Sequence, residues 1–204
     1  MGGLTIVDTG ILFINPDPSR YHVWAAMAHP IALSETEFVA TYQRGAAMYA
    51  ADTAVAVTRS RDGGVTWSHQ GFLYDGRDDD RPYSYHDAQL AQMRDGTLVA
   101  LGFRIDRTDP DLPMFSASGG LLTVESVLFT SRDGGATWDG PRVLDLPGGM
   151  NLTPACPIVE LPDGRWLATF DRFKHYDDPE PYRPLMVGFF SCDQGATWGD
   201  LAVV

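Results

Sequence analysis

The chain is poor in the residues that staple or positively charge a protein. Its 204 residues include 2 cysteines, Cys156 and Cys192. They stand at no metal-ligand spacing and make no disulfide framework, so both read as half-buried thiols. Basic side chains are scarce, with 15 Lys and Arg against 27 Asp and Glu and a net charge of −12. That balance argues against nucleic acid and against an anionic membrane surface as partners. No apolar run approaches the ~20 residues of a membrane span. Met1 to Gly10 lacks a basic segment followed by an apolar one, so no signal peptide is read there. The expectation is a cytoplasmic protein, or a secreted one if this chain is cut from a longer one. No stretch repeats apolar residues at the helical period, which excludes a helical bundle.

What is present is a repeat. Ser60-Arg61-Asp62-Gly63-Gly64-Val65-Thr66-Trp67, Ser131-Arg132-Asp133-Gly134-Gly135-Ala136-Thr137-Trp138 and Ser191-Cys192-Asp193-Gln194-Gly195-Ala196-Thr197-Trp198 share the pattern S-x-D-x-G-x-T-W. Recurrence over such long intervals marks a repeat architecture. Each copy reads as a hairpin turn. The Asp accepts bonds from nearby backbone amides, and the glycines take positive φ without a steric cost. Each Trp carries a large apolar area between neighbouring sheets.

The rest of the chain repeats around these turns. The first unit reads as strands over 28–33, 38–43, 53–60 and 67–74, the second over 88–93, 97–104, 121–131 and 138–144. The third reads as strands over 155–161, 165–171 and 185–191, with a fourth from Trp198 onward. Leu4–Ile14 reads as an additional strand. Four short strands per unit, with Asp95-Gly96 and Asp163-Gly164 hairpin turns, is the pattern of a propeller blade. The class is all-β, with blade units about 21–75, 83–145 and 151–204 in a single domain and 1–20 as a strand of a closing blade.

Strand direction sorts the loops. In an up-and-down blade the S-x-D-x-G-x-T-W turns share one end, and the second-to-third loops share the other with the links between blades. The second end is richer in charge and aromatics, and sites live on loops held by a rigid scaffold. It carries Arg44, Tyr49, Asp52, Tyr83, Tyr85, His86, Asp87, Arg104, Asp106, Arg107, Asn151, Asp171, Arg172, His175 and Tyr176. Arginine suits carboxylate recognition, carboxylates suit proton transfer, and aromatic rings stack on sugar faces. Asp78-Asp79-Asp80 reads as a solvated linker, because adjacent residues cannot all face one ion. No metal and no cofactor is expected. Asn151-Leu152-Thr153 matches a glycosylation sequon, which matters only in a secreted protein.

The repeated turn resembles the Asp box, or bacterial neuraminidase repeat, of the sialidase superfamily. The resemblance covers the chain from about Tyr21 and implies a six-bladed β-propeller of which these units are roughly the first three. It implies a sialidase-like exo-glycosidase acting on a terminal sugar, with a carbohydrate or glycoconjugate as partner. A half-ring would also self-associate through open blade edges. Carried over by motif, the resemblance makes Asp52 the acid/base residue and Arg44 one of the family's carboxylate-binding arginines. Another of those arginines is expected where this chain reads Ala28-His29-Pro30. The family's tyrosine nucleophile, its glutamate partner and the remaining arginines come from later blades. His86, Asp87, Arg104, Asp171 and Arg172 join Asp52 and Arg44 as candidate site residues. Two other readings stay open: a non-catalytic carbohydrate- or protein-binding propeller, and a propeller hydrolase or lyase acting on another sugar.

Overall fold

Each S-x-D-x-G-x-T-W box closes its hairpin by satisfying its own backbone. A computed structural model describes residues 9–15 and 24–203. In the second box the Ser131 hydroxyl donates to Asp133 Oδ1 at 2.7 Å and accepts from the Gly135 amide at 2.8 Å. Asp133 Oδ1 accepts from the amides of Ala136 and Thr137, and Oδ2 from the Thr137 hydroxyl. The first and third boxes repeat this pattern around Asp62 and Asp193. The bonds from Thr66 and Thr197 hold the carboxyls of Asp62 and Asp193 down at about 2. In the third box Gln194 sits at φ 57°, the left-handed position that glycine fills in the other two.

The boxes divide the described chain into three antiparallel sheets. The first contains β1 (Trp24–Ala32), β2 (Phe38–Gly45), β3 (Ala54–Ser60) and β4 (Ser68–Phe72) in chain order. The second contains β5 (Tyr83–Gln92), β6 (Leu98–Asp106), β7 (Val124–Ser131) and β8 (Asp139–Val143) in the same order. The third differs from the expected four strands. Its first position is shared by β9 (Asn151–Pro154) and β10 (Val159–Glu160), which both pair with β11 (Trp166–Phe173). β12 (Leu185–Ser191) and β13 (Gly199–Val203) complete the sheet. Pro157 lies in the gap between β9 and β10, and proline has no amide to give a ladder. Ala155 still donates to Thr169 O at 2.9 Å across that gap. No helix occurs among the described residues.

The first strands begin earlier than expected, at Trp24, Tyr83 and Asn151 rather than Ala28, Ala88 and Ala155. The cause is a bulge. β1 shifts register between Ala26 and His29, and β5 between His86 and Gln89. Met27 and Asp87 sit within these bulges at φ 55° and 50°. An extra residue breaks the two-residue alternation, so only the half beyond each bulge looked like a strand.

Buried side chains form a layer between each pair of successive sheets. Val39, Val55 and Val57 of the first sheet meet Tyr85, Leu90, Val127 and Phe129 of the second, with Trp138 packed against them. Val99, Leu101 and Leu128 of the second meet Phe170, Val187, Phe189 and Trp198 of the third. Trp138 and Trp198 therefore lie between sheets, as expected, while Trp67 is half-buried against Phe38 of its own sheet, with ring centroids at 6.5 Å.

The strand expected over Leu4–Ile14 is not found in its described part, and positions 4–8 lie outside the described residues. Positions 9–15 run without regular structure across the outer face of the first sheet. There the Phe13 ring packs on Tyr42 at 5.3 Å and lies under the Arg44 guanidinium at 5.4 Å.

The box serine offers a direct test of the fold. Ser131 is 1% exposed and holds the buried Gly135 amide. Ser131→Ala leaves that donor without a partner and is expected to lower unfolding free energy by about 1–3 kcal/mol. Urea denaturation measures it.

Candidate functional site

The first strands of the three sheets adjoin one another, and polar contacts cross between them at the bulges. Asp87, turned out of the β5 ladder by its positive φ, places Oδ1 2.8 Å from His29 Nε2 on β1. Its other oxygen accepts from Gln89 Nε2 at 3.2 Å, and the same nitrogen reaches Pro154 O of β9 at 3.2 Å. His29 and Asp87 keep 26% and 22% of their side chains exposed, so the pair is held yet reachable. A non-glycine residue in the left-handed region is costly and tends to mark a working site.

Asp87 opens into a cavity of about 130 Å³ whose wall comes from all three sheets and their loops. Met27, Gln43 and Tyr49 come from the first unit, Phe103, Met114 and Phe115 from the second, and Thr153 and Phe173 from the third. Phe115 lies between Tyr49 and Phe173, with ring centroids at 5.3 and 6.0 Å. Asp87 is the one carboxylate in this lining, and the lining contains neither arginine nor lysine.

A buried polar chain supports the cavity from behind. His86 is 1% exposed and stacks on Phe103 at 5.0 Å. Its Nδ1 lies 3.2 Å from Gln43 Oε1 and its Nε2 2.8 Å from Ser84 Oγ. The amide oxygen only accepts, so Nδ1 carries the proton and the Ser84 hydroxyl donates to Nε2. Burial, reinforced by the Arg107 charge, pushes the His86 pKa down to about 3 and keeps the ring neutral. Arg107, 3% exposed, donates to Ser84 Oγ, to Leu112 O and, at 2.8 Å, to Tyr49 O. One guanidinium thereby fixes a loop of the first unit against a loop of the second.

The structure brings His86 and Asp87 together at the cavity and distributes the other sequence candidates elsewhere. Asp52 is exposed on the β2–β3 loop, where both its oxygens accept from the Ala46 amide at 3.0 and 3.2 Å. Arg44 lies on the outer face of the first sheet over Phe13. Arg104 is held by Glu125 and Asp79 at 2.7 and 3.2 Å and lies 3.9 Å above the Tyr83 ring. Asp171 sits on β11 opposite Thr153 and Met186, while Arg172 lines a separate groove beside the cavity. Asn151 of the sequon is 2% exposed. Its amide donates to Leu121 O and Leu122 O while its oxygen accepts from Val124 N, so it fastens the second unit to the third.

His29 was missed as a site residue. It stands one position after Ala28, which occupies the place where the resemblance expects a carboxylate-binding arginine.

No protein-family model matches the chain, and no curated protein does. Solved structures do. At a TM-score of 0.71 the chain is similar to a Dyadobacter fermentans protein of unknown function, with 21% identity over 95% of this chain and 57% of that one. It is similar to a Hadza microbial sialidase at 0.65, with 18% identity over 85% of this chain and 36% of that one. An α-L-arabinofuranosidase of Fusarium graminearum, solved with arabinobiose, matches at 0.61 with 18% identity over 91% of this chain and 50% of that one. These likenesses define the fold as that of a β-propeller, the scaffold that such glycosidases use. The chain spans 57%, 36% and 50% of those three proteins.

The buried histidine gives the site a pH signature. Its folded pKa lies below the ordinary value of 6.5, so the unfolded chain binds the proton first as pH falls. Stability contributed by neutral His86 is complete above about pH 6.5 and is lost between about 6.5 and 3, by up to about 1.4 kcal/mol per pH unit. Urea midpoints at pH 7 and 5 measure this loss, and His86→Asn should flatten it.

Proposed function

We propose that these three blades form the sugar-binding part of a propeller glycoside hydrolase, and that its terminal sugar is uncharged. The observation that carries this reading is Asp87: a lone carboxylate in an aromatic-walled cavity, turned out of its strand by a bulge and held by His29. The rings of Tyr49, Phe115 and Phe173 offer apolar faces suited to the C–H faces of a sugar. Among the described residues the cavity lining contains no arginine or lysine, and both Arg44 and Arg104 are engaged outside it. The Fusarium protein, seen with arabinobiose, provides a neutral-sugar precedent on this scaffold.

In this reading Asp87 handles the proton at the glycosidic oxygen. Its second oxygen is held by Gln89 and its first lies 2.8 Å from His29 Nε2. Glycoside hydrolysis also needs a group that stabilises the sugar's developing positive charge or activates water. Asp52 stands at the same end of the sheets, with its carboxylate tied to the Ala46 amide, and serves there to hold the β2–β3 loop.

The test is turnover of aryl glycosides of arabinose, galactose and sialic acid by the protein. A neutral pentoside or hexoside is expected to be cleaved in preference to the sialoside. Asp87→Asn should reduce turnover by about 10²–10⁴-fold, and Asp52→Asn should reduce it far less. The reverse ranking would transfer the acid/base role to Asp52. Cleavage of the sialoside alone would restore the sialidase reading, and saccharide binding without any turnover would point to a non-catalytic propeller.

A further inference from the structure

The aromatic wall of the cavity does not end there. Phe173 lines the cavity on one side, and Tyr182 stacks on it with ring centroids at 5.4 Å and planes 13° apart. Tyr182, 38% exposed, forms part of the wall of a second groove of about 340 Å³, together with Arg172, Lys174, Asp178, Glu180, Pro181 and Arg183. Tyr49, Phe115, Phe173 and Tyr182 thus make a row of touching rings across loops of all three units, from the Asp87 cavity to this groove.

The groove is built, not a chance dip between mobile side chains. Lys174, 7% exposed, donates from Nζ to Ser118 Oγ, Asp178 O and Glu180 O at 3.2, 3.0 and 2.8 Å. One ammonium therefore gathers the β11–β12 loop around itself and against the second unit. Leu121 bridges to His175 in parallel beside it. With Lys174 spent on the loop, the groove's remaining cations are Arg172 and Arg183. Neither guanidinium has a hydrogen-bond or ion-pair partner among the described residues. The lining also holds two carboxylates, Glu180 and Asp178, the latter accepting from the Glu180 amide at 2.9 Å; two arginines without partners in one groove still suit a planar or tetrahedral oxyanion.

We propose that this groove binds an anionic substituent, a carboxylate or a sulfate, on a sugar unit further along the chain whose terminal neutral sugar occupies the Asp87 cavity. The substrate is then an acidic glycan capped by an uncharged residue. The aromatic row carries the intervening sugar, because a ring face tolerates any sugar that offers its C–H side. This placement rests on the glycosidase reading for its cavity, while the groove itself stands on Arg172 and Arg183.

The experiment is calorimetric titration of the protein with three oligosaccharides of one galactan backbone: unsubstituted, sulfated, and carrying a uronic acid. At least one anionic oligomer is expected to bind about tenfold or more tightly than the neutral one, with an affinity that falls as salt rises. The tighter of the two identifies the anion. Arg172→Gln combined with Arg183→Gln should abolish that preference. Because these arginines bond to nothing in the described chain, the double variant should keep the parent's melting temperature. Equal affinity for all three oligomers, or a preference that survives in the folded double variant, overturns the proposal. Binding is the readout, so absence of glycoside turnover would remove the hydrolase reading and leave the groove standing.

Discussion

The bulge in the first strand of the first and second units is the constraint on which the site depends. A regular strand would alternate its side chains between the two faces of the sheet and present none along the inner edge. The extra residues at Met27 and Asp87 break that alternation where the three sheets adjoin. Asp87 can then lean away from its own ladder and meet His29 of the neighbouring sheet, 58 positions away in sequence. In the third unit the same place widens into a gap around Pro157, and Gln89 reaches across to Pro154 O. One backbone irregularity, repeated with variations, links the three units at their centre.

The far end is organised by different chemistry. There each turn is self-contained: a serine, an aspartate and a threonine satisfy the local amides, and the glycines or Gln194 accept the left-handed backbone. Because each box completes its own bonding, it needs nothing from the loops at the opposite end. Those loops can therefore vary in length and charge without disturbing the hairpins. Arg59 adds one link between units, donating from Nη2 to Gly134 O of the next box at 2.7 Å.

This division explains what the sequence disclosed. The boxes were legible because their partners lie within about one turn of chain, so fixed residue types recur at fixed spacing. Strands without bulges, such as β2, β7 and β12, were legible for the same reason. The inner strands were only half legible, since a bulge hides the alternation that identifies a strand. The pairing of His29 with Asp87 had no local signal, because it depends on how two sheets meet. Asp52 and Arg44 stood out through family resemblance and loop position. Nothing in their neighbourhood foretold that Asp52 would bind Ala46 and that Arg44 would lie over Phe13. His86 and Asp87 were chosen together as loop residues, yet adjacent positions at a bulge took opposite fates: one sealed in a hydrogen-bonded core, the other left at the cavity.

The three box tryptophans also differ in one respect. The indoles of Trp67 and Trp198 donate to Gly64 O and Gly195 O at 2.8 and 3.0 Å, while the buried indole nitrogen of Trp138 has no partner among the described residues. Trp138 packs against the layer between the first and second sheets. Its excited state relaxes in an apolar setting without a hydrogen-bond acceptor, so its emission belongs at shorter wavelength than that of its two counterparts. The chain thus contains an intrinsic optical reporter for one junction between sheets.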